Sequence, residues 1–209
     1  MNVIWVEKVV FVVFDNINRL ADIARYNGVF TQHSLNIPFI SLLKQIKQRI
    51  MKNITPFLWF DNNAEEAMNF YTSVFPNSKV TSVSRYTEAG PGPAGQLMVA
   101  AIQINGQRFN LLNGGPGFQF SWAVSFVVEC ENQQEVDHYW KELTADGGEE
   151  SQCGWVKDKF GLSWQITPTI MEKFTSDPDP KKVSRVMQTM MKMKKLDIQT
   201  LQDAYDDKL

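Results

Sequence analysis

The sequence predicts an α+β fold in which one plan, a strand, a helix and three further strands, is written twice and followed by a helical tail. Three observations carry this expectation. The segments ITPFLWFDNNAEEAMNFYTSVF, from Ile54, and AVSFVVECENQQEVDHYWKEL, from Ala123, each run from an apolar strand into an amphipathic helix. They match at a constant spacing of 69 residues, which sets Glu66 on Glu135, Phe70 on Tyr139 and Tyr71 on Trp140. Internal repeats fix architecture before any single motif does. After each helix come short apolar runs separated by Gly, Pro and Asn-Gly punctuation, the pattern of hairpins.

Taken in order, the first strand lies within ITPFLWF. The helix after it opens at Asn63 with Glu66 three residues on. This is capping-box spacing, in which the Asn side chain accepts from a free helix N–H and the Glu reaches back. Ala67, Phe70, Tyr71 and Val74 give it an apolar face at helical period. Three strands follow, at Lys79–Thr87, Leu97–Ile104 and Arg108–Leu112. The loop EAGPGPAG and the turn Asn105-Gly106 separate them, the latter a hairpin signal. The second unit repeats the scheme with Asn132 and Glu135 at the cap and Val136, Tyr139, Trp140 and Leu143 on the apolar face. Its three strands are Glu149–Cys153, Trp155–Lys157 and Leu162–Thr167. In the last of these, Leu162, Trp164 and Ile166 fall on one face and Ser163, Gln165 and Thr167 on the other, because side chains alternate along a strand. The tail from Asp177 holds two helices. Val183, Val186, Met187, Met190 and Met191 make a stripe on the first, suited to covering the modules or a partner subunit. Asp197 caps the second, which carries Ile198, Leu201 and Tyr205.

The totals exclude several classes of function. In 209 residues, 44% are apolar and 21% charged, and the net charge is -2. Without a basic patch, nucleic acid is not an expected partner. Cys130 and Cys153 are too few for a disulfide framework and form no CxxC pair, so a reducing cytoplasm is expected. The apolar stretch Lys8–Phe14, bracketed by Glu7 and Asp15, is far short of the roughly 20 apolar residues of a membrane span. It also lacks the basic start and cleavage site of a signal peptide. Residues 1–50 show no clear period, and the character of the chain changes at Met51. We therefore expect Met51 to be the natural start and residues 1–50 to be a translated leader or a loosely attached extension. The paired modules are expected over 51–168 (51–118 and 119–168) and the tail over 169–209.

Set on this plan, NAEEAMNFYTSVF, CGWVKDKFGLSWQITP and MKKLDIQTLQDAY resemble the PhnB-like branch of the vicinal oxygen chelate superfamily. That superfamily includes glyoxalase I, bleomycin-resistance proteins and ring-cleaving dioxygenases, and the branch also carries the label of a demethylubiquinone methyltransferase-like domain. The resemblance runs from about Met51 to the C-terminus. It implies two βαβββ modules whose sheets curl as a mixed sheet around a cleft, and a bacterial-type homodimer, since relatives often pair modules across subunits.

Metal-dependent members of that superfamily place ligands on the first and last strand of each module, typically His or Gln and then Glu. Reading back from the helix caps gives Pro56 and Ser125. Counting four residues on from Gly106 and Gly161 gives Asn110 and Gln165. None of the four is His, Cys, Asp or Glu, and neutral amides and a hydroxyl supply little charge to replace a cation's hydration. The two histidines do not fill the gap, since His33 lies in the extension and His138 on a helix beside Glu135 and Asp137. No metal and no cofactor are expected. Asn110 and Gln165 instead offer two donors and an acceptor each, suited to a carbonyl, hydroxyl or amide of an organic ligand. Against this stands the ordinary fate of such groups, bonding to each other, water or backbone.

Other candidates have weaker claims. Cys153 lies ahead of the final hairpin, but a nucleophile needs a lowered pKa and a base, and no histidine is near it in sequence. Trp59 and Trp155 can stack on a flat ligand, whereas Trp164 is expected to pack on a helix. The glycine-rich pieces Gly90–Gly95 and Asn113–Gly117 fit no phosphate-binding pattern and read as turns, which discounts methyl transfer as an activity. Asp158, in the last hairpin turn, and Glu129, near a strand end, are the acid–base candidates, and both are expected to be solvated. The expected function is binding of a small organic molecule in the inter-module cleft without metal, through Gln165, Asn110, Ser125, Trp59, Cys153 and Trp155. The alternative is an enzyme of the glyoxalase/dioxygenase superfamily acting on a small metabolite.

Overall fold

The computed structural model describes residues 54–209; the expectations for residues 1–50, including His33, lie outside them. The first module comprises β1 (Phe57–Phe60), α1 (Ala64–Val74), β2 (Ser78–Arg85), β3 (Leu97–Ile104) and β4 (Gln107–Asn113). The second comprises β5 (Ser125–Cys130), α2 (Gln133–Thr144), β6 (Glu149–Glu150), β7 (Trp155–Lys157) and β8 (Ser163–Pro168). The tail holds α3 (Ile170–Thr175), α4 (Pro180–Met190) and α5 (Ile198–Tyr205). Each module is a four-stranded mixed sheet with the same topology, β1-β4-β3-β2 and β5-β8-β7-β6. In both, the first and last strands pair parallel and the rest antiparallel. The expected α+β class and the duplicated βαβββ plan are borne out. No helix among the described residues is long and apolar enough to cross a membrane.

One face of each sheet carries the helix. Leu58, Phe60, Ala100, Ile102, Phe109 and Leu111 pack under α1, and Val128, Cys130, Val156, Trp164 and Ile166 under α2, in a single buried cluster shared by the modules. Aromatic rings join the halves: Phe75 stacks on Tyr139, Tyr71 tilts onto Trp164, and Phe109 meets Phe126 edge-on at 5.1 Å. Asp158, expected in solvent, is instead buried at the centre of this junction, 2% exposed. Its Oδ1 accepts from the N–H groups of Phe160 and Leu162, and its Oδ2 from Tyr71 and from the Trp164 indole. Burial pushes its carboxyl above the ordinary Asp value, and the four hydrogen bonds pull it back. The neighbouring Lys159 pairs with Glu66 of α1 at 2.6 Å, so the β7–β8 turn of one module grips the helix of the other.

The helix starts differ from the expected symmetry. At α2, Asn132 accepts from the Glu135 N–H, while the Glu135 carboxylate accepts from the Glu131 N–H. At α1, Asn63 makes no side-chain cap. Asn113, at the end of β4, supplies the acceptor to the Ala64 N–H and donates to the Leu97 carbonyl. The connection from β1 to α1 is also one residue longer than that from β5 to α2. The 69-residue spacing of the helices therefore becomes 70 for the first strands. Leu58 pairs with Leu111 as Val128 pairs with Ile166. A one-residue slip turns a strand position to the opposite face. Pro56 is thus not the counterpart of Ser125; Phe57, opposite Asn110, corresponds to Val127, opposite Gln165.

The tail builds a second core from Met171, Phe174, Val186, Leu196, Leu201 and Tyr205. Of the expected stripe on α4, Val186 is buried and Met191 is exposed. Asp197 caps α5 by accepting from the Thr200 N–H. The tail is held to the second module by backbone bonds from Cys153 and Gly154 to the Met193 and Lys194 carbonyls, and by Gln133, which bonds both the Leu196 carbonyl and the Ile198 N–H.

Replacing Asp158 by Asn turns one acceptor into a donor facing the Trp164 N–H, which has no other use for it. A buried donor left unsatisfied costs about 1–3 kcal/mol. Asp158→Asn is expected to lower the urea-unfolding free energy by about 2 kcal/mol, and Tyr71→Phe by about 1 kcal/mol. Equal stability of Asp158→Asn and wild type would show that the junction does not depend on this carboxylate.

Candidate functional site

The faces without helices carry the candidate residues, in rows set by strand register. Paired residues on neighbouring strands project to the same side. Across the first sheet one row is Lys79, Gln103 and Arg108. The next is Ser82, Ala101, Asn110 and Phe57, and the third is Ser84, Val99, Leu112 and Trp59. Across the second sheet the rows are Glu149, Lys157, Ser163 and Ser125; then Trp155, Gln165 and Val127; then Thr167 and Glu129. The alternation read from LSWQITP places Gln165 on this side, between the buried Trp164 and Ile166.

Gln165 is anchored within its own sheet. Its Nε2 donates to Ser125 Oγ at 2.8 Å, so its carbonyl oxygen is the group left to offer. Asn110 is held differently: its Oδ1 accepts from Arg108 Nε at 3.3 Å, so its amide N–H groups are the ones left to offer. Each amide is thus fixed by a neighbour on its own sheet rather than by the other.

Trp59 is pinned by the loop that follows β4. Its indole donates to the Gly115 carbonyl at 2.9 Å and meets Phe118 edge-on at 5.1 Å. A Cβ on Gly114 would stand 2.3 Å from the indole, so only glycine lets the loop lie against this ring. Gly92 likewise lies against the Tyr86 ring. Both glycine-rich pieces therefore wrap aromatic side chains. Trp155 meets Trp122 edge-on at 6.1 Å, and Lys157 Nζ sits 4.3 Å over the Trp122 ring. Trp122 thereby joins the candidate residues, although in the sequence it is marked only as an aromatic just before a strand.

Cys153 occupies a left-handed backbone conformation with φ of 58° beneath the tail, its sulfur 3.6 Å from the Met191 sulfur. Cys130 is buried in the core, and burial pushes its thiol up to about 12. His138 faces the Val74 carbonyl at the end of α1, and Glu129 is exposed at the end of β5. Asp158, with both oxygens engaged by four donors in the core, is not positioned as a base for a molecule on the open faces.

A divalent cation does not fit the residues at the superfamily's ligand positions. Asn110, Ser125 and Gln165 are neutral and hydrogen-bonded, and Phe57 and Val127, which the register sets opposite Asn110 and Gln165, have no donor side chain. Among the described residues, no three His, Cys, Asp or Glu groups come together.

The sequence model of the 3-demethylubiquinone-9 3-methyltransferase family matches residues 52–167. The solved PhnB protein of Bacillus cereus is 40% identical, over 56% of this chain and 100% of that one, with a TM-score of 0.53. A Pseudomonas aeruginosa protein is 17% identical over 56% of this chain and 98% of its own, with a TM-score of 0.48. The fosfomycin resistance protein FosX of Listeria monocytogenes is 15% identical over 59% and 96%, with a TM-score of 0.46. No curated protein matches the chain.

The different burial of the two cysteines has a direct readout. A thiol reagent at pH 8 is expected to modify Cys153 in the native protein and both cysteines in urea. Rapid native modification of Cys130 would mean that the core around β5 opens readily.

Proposed function

The chain belongs to the PhnB-like, 3-demethylubiquinone-9 3-methyltransferase family of the vicinal oxygen chelate superfamily, and from that membership we propose that it binds a small organic molecule, without metal, in a cleft lined by the helix-free faces of its sheets. The observation that carries this reading is the Gln165–Ser125 pair. It presents a fixed amide oxygen beside Trp155, with Trp122 alongside, an arrangement of few oriented polar groups among aromatics that suits a ligand's polar edge and flat body. Asn110 and Trp59 serve the first sheet in the same way, and Cys153 lies at the margin under the tail. Neutral donors favour binding over metal-assisted chemistry.

The enzyme alternative would need a base within reach of the ligand. Asp158 is committed to the core, and Glu129 is exposed at a strand end. Methyl transfer through a glycine-rich cofactor loop gains no support, because the glycine segments wrap Tyr86 and Trp59. A homodimer is part of the proposal. Phe57 and Val127, each 56% exposed, stand on the open faces, and Phe118 and Val124 are exposed beside them. Two free cysteines suit a reducing cytoplasm.

Native mass spectrometry of gently purified protein is expected to show a dimer carrying an organic adduct and no stoichiometric metal. Gln165→Leu removes one oriented hydrogen bond and is expected to weaken binding of that adduct about tenfold. A tightly held divalent ion, or unchanged adduct binding by Gln165→Leu, would overturn the reading. Light scattering at micromolar concentration is expected to give twice the chain mass; a monomer would remove the dimer from the proposal.

A further inference from the structure

The open face of the first sheet is graded along its strands. At one end Lys79 and Arg108 flank Gln103. In the middle Asn110 lies between Phe57 on one side and the small residues Ala101 and Ser82 on the other. At the other end Val99, Leu112 and Trp59 are apolar. None of the side chains in these rows is acidic, and neither Lys79 nor Arg108 has a carboxylate partner among the described residues. On the second sheet, by contrast, Lys157 is paired with Glu149 at 3.7 Å.

The bond between Arg108 and Asn110 sets the polarity of the middle row. A guanidinium has no acceptor, so the Asn110 oxygen must face it and the amide N–H groups must face away. The guanidinium keeps its terminal N–H groups for a ligand, and Lys79 adds a second positive charge two strands away. The polar end presents two cations and the Asn110 donors, with the Gln103 amide, whose Nε2 is given to the Gly106 carbonyl, adding a neutral acceptor; the two positive charges select for an oxyanion.

We propose that this face is the anion-recognising half of the ligand site. It takes an amphiphile whose carboxylate or phosphate head meets Arg108, Asn110 and Lys79 and whose apolar body lies along Leu112, Val99 and Trp59. The inference rests on the small-molecule reading above and gives it a ligand class. The four-residue step along β4 from Arg108 to Leu112 spans about 13 Å, which sets the length of ligand that touches both ends.

Calorimetric titration with decanoate, decyl phosphate and uncharged decanol tests this. Either anion is expected to bind at least tenfold more tightly than decanol, with an advantage that shrinks in high salt. Tighter binding of one anion would identify the head group. Arg108→Gln with Lys79→Gln should bring the anions down to decanol's affinity while leaving decanol itself unchanged. Asn110→Asp, which replaces the amide N–H donors by a negatively charged carboxylate, should weaken the anions alone. All three positions are on a solvent-facing side of the sheet, and circular dichroism checks that each variant folds. Equal binding of all three probes by wild type, or an anion preference that survives the double substitution, would overturn the inference and leave small-molecule binding standing. Failure of every probe to bind would overturn it too; the native adduct then judges the broader reading separately.

Discussion

Asp158 is the group on which the two-module arrangement depends. A carboxylate in an apolar core is tolerated only when its lone pairs are engaged. Here two of its partners are backbone groups that shape its own turn, and two are aromatic side chains from α1 and β8. The same atoms close the β7–β8 turn and fix its approach to the neighbouring helix. Phe160, carried by that turn, packs against Phe60, Phe70 and Tyr71, so the turn's conformation and the junction's packing are set together. The orientation of β8, and with it of Gln165, follows from this anchor.

Asn113 plays the corresponding part inside the first module. One side chain ends β4, starts α1 and holds the first residue of β3. Its own carbonyl accepts from Tyr86, and the loop that follows bends back to grip Trp59. A polar residue at the strand end thus connects the helix-covered side of the sheet to the open side, and the position of a candidate ligand-contacting ring depends on it. This is a reason for buried polar groups to persist in a core that apolar side chains alone could fill.

The fold was legible because it is repeated and because its periods are local. Strand alternation in LSWQITP and helical spacing in NAEEAMNFYTSVF follow from short stretches of chain, as does the Asn105-Gly106 turn, in which both residues take positive φ. The position of Gln165 on an open face was legible for the same reason, and that of Asn110 followed from it through the repeat. What escaped depended on distant partners. The burial of Asp158 needs Tyr71, far away in sequence, and the cap of α1 comes from Asn113 rather than from Asn63. The strand equivalence failed through a single extra residue between β1 and α1, which changes no period within either element yet turns Pro56 to the other face. Trp122 became a candidate only because β7 brings Trp155 and Lys157 beside it.

The family match ends at residue 167, just before the helices of the tail. Among the described residues those helices are hydrogen-bonded to the second module, through Cys153, Gly154 and Gln133. A brace on one half changes what a duplication means mechanically. Local opening of a segment costs more when extra backbone bonds and a second small core must be broken with it. The second sheet, whose β6 and β7 run only two and three residues where β2 and β3 run eight each, is the one that the tail reinforces. Two halves built to one plan thus hold their shape by different means, the first through long ladders within its own sheet and the second through a brace from outside it.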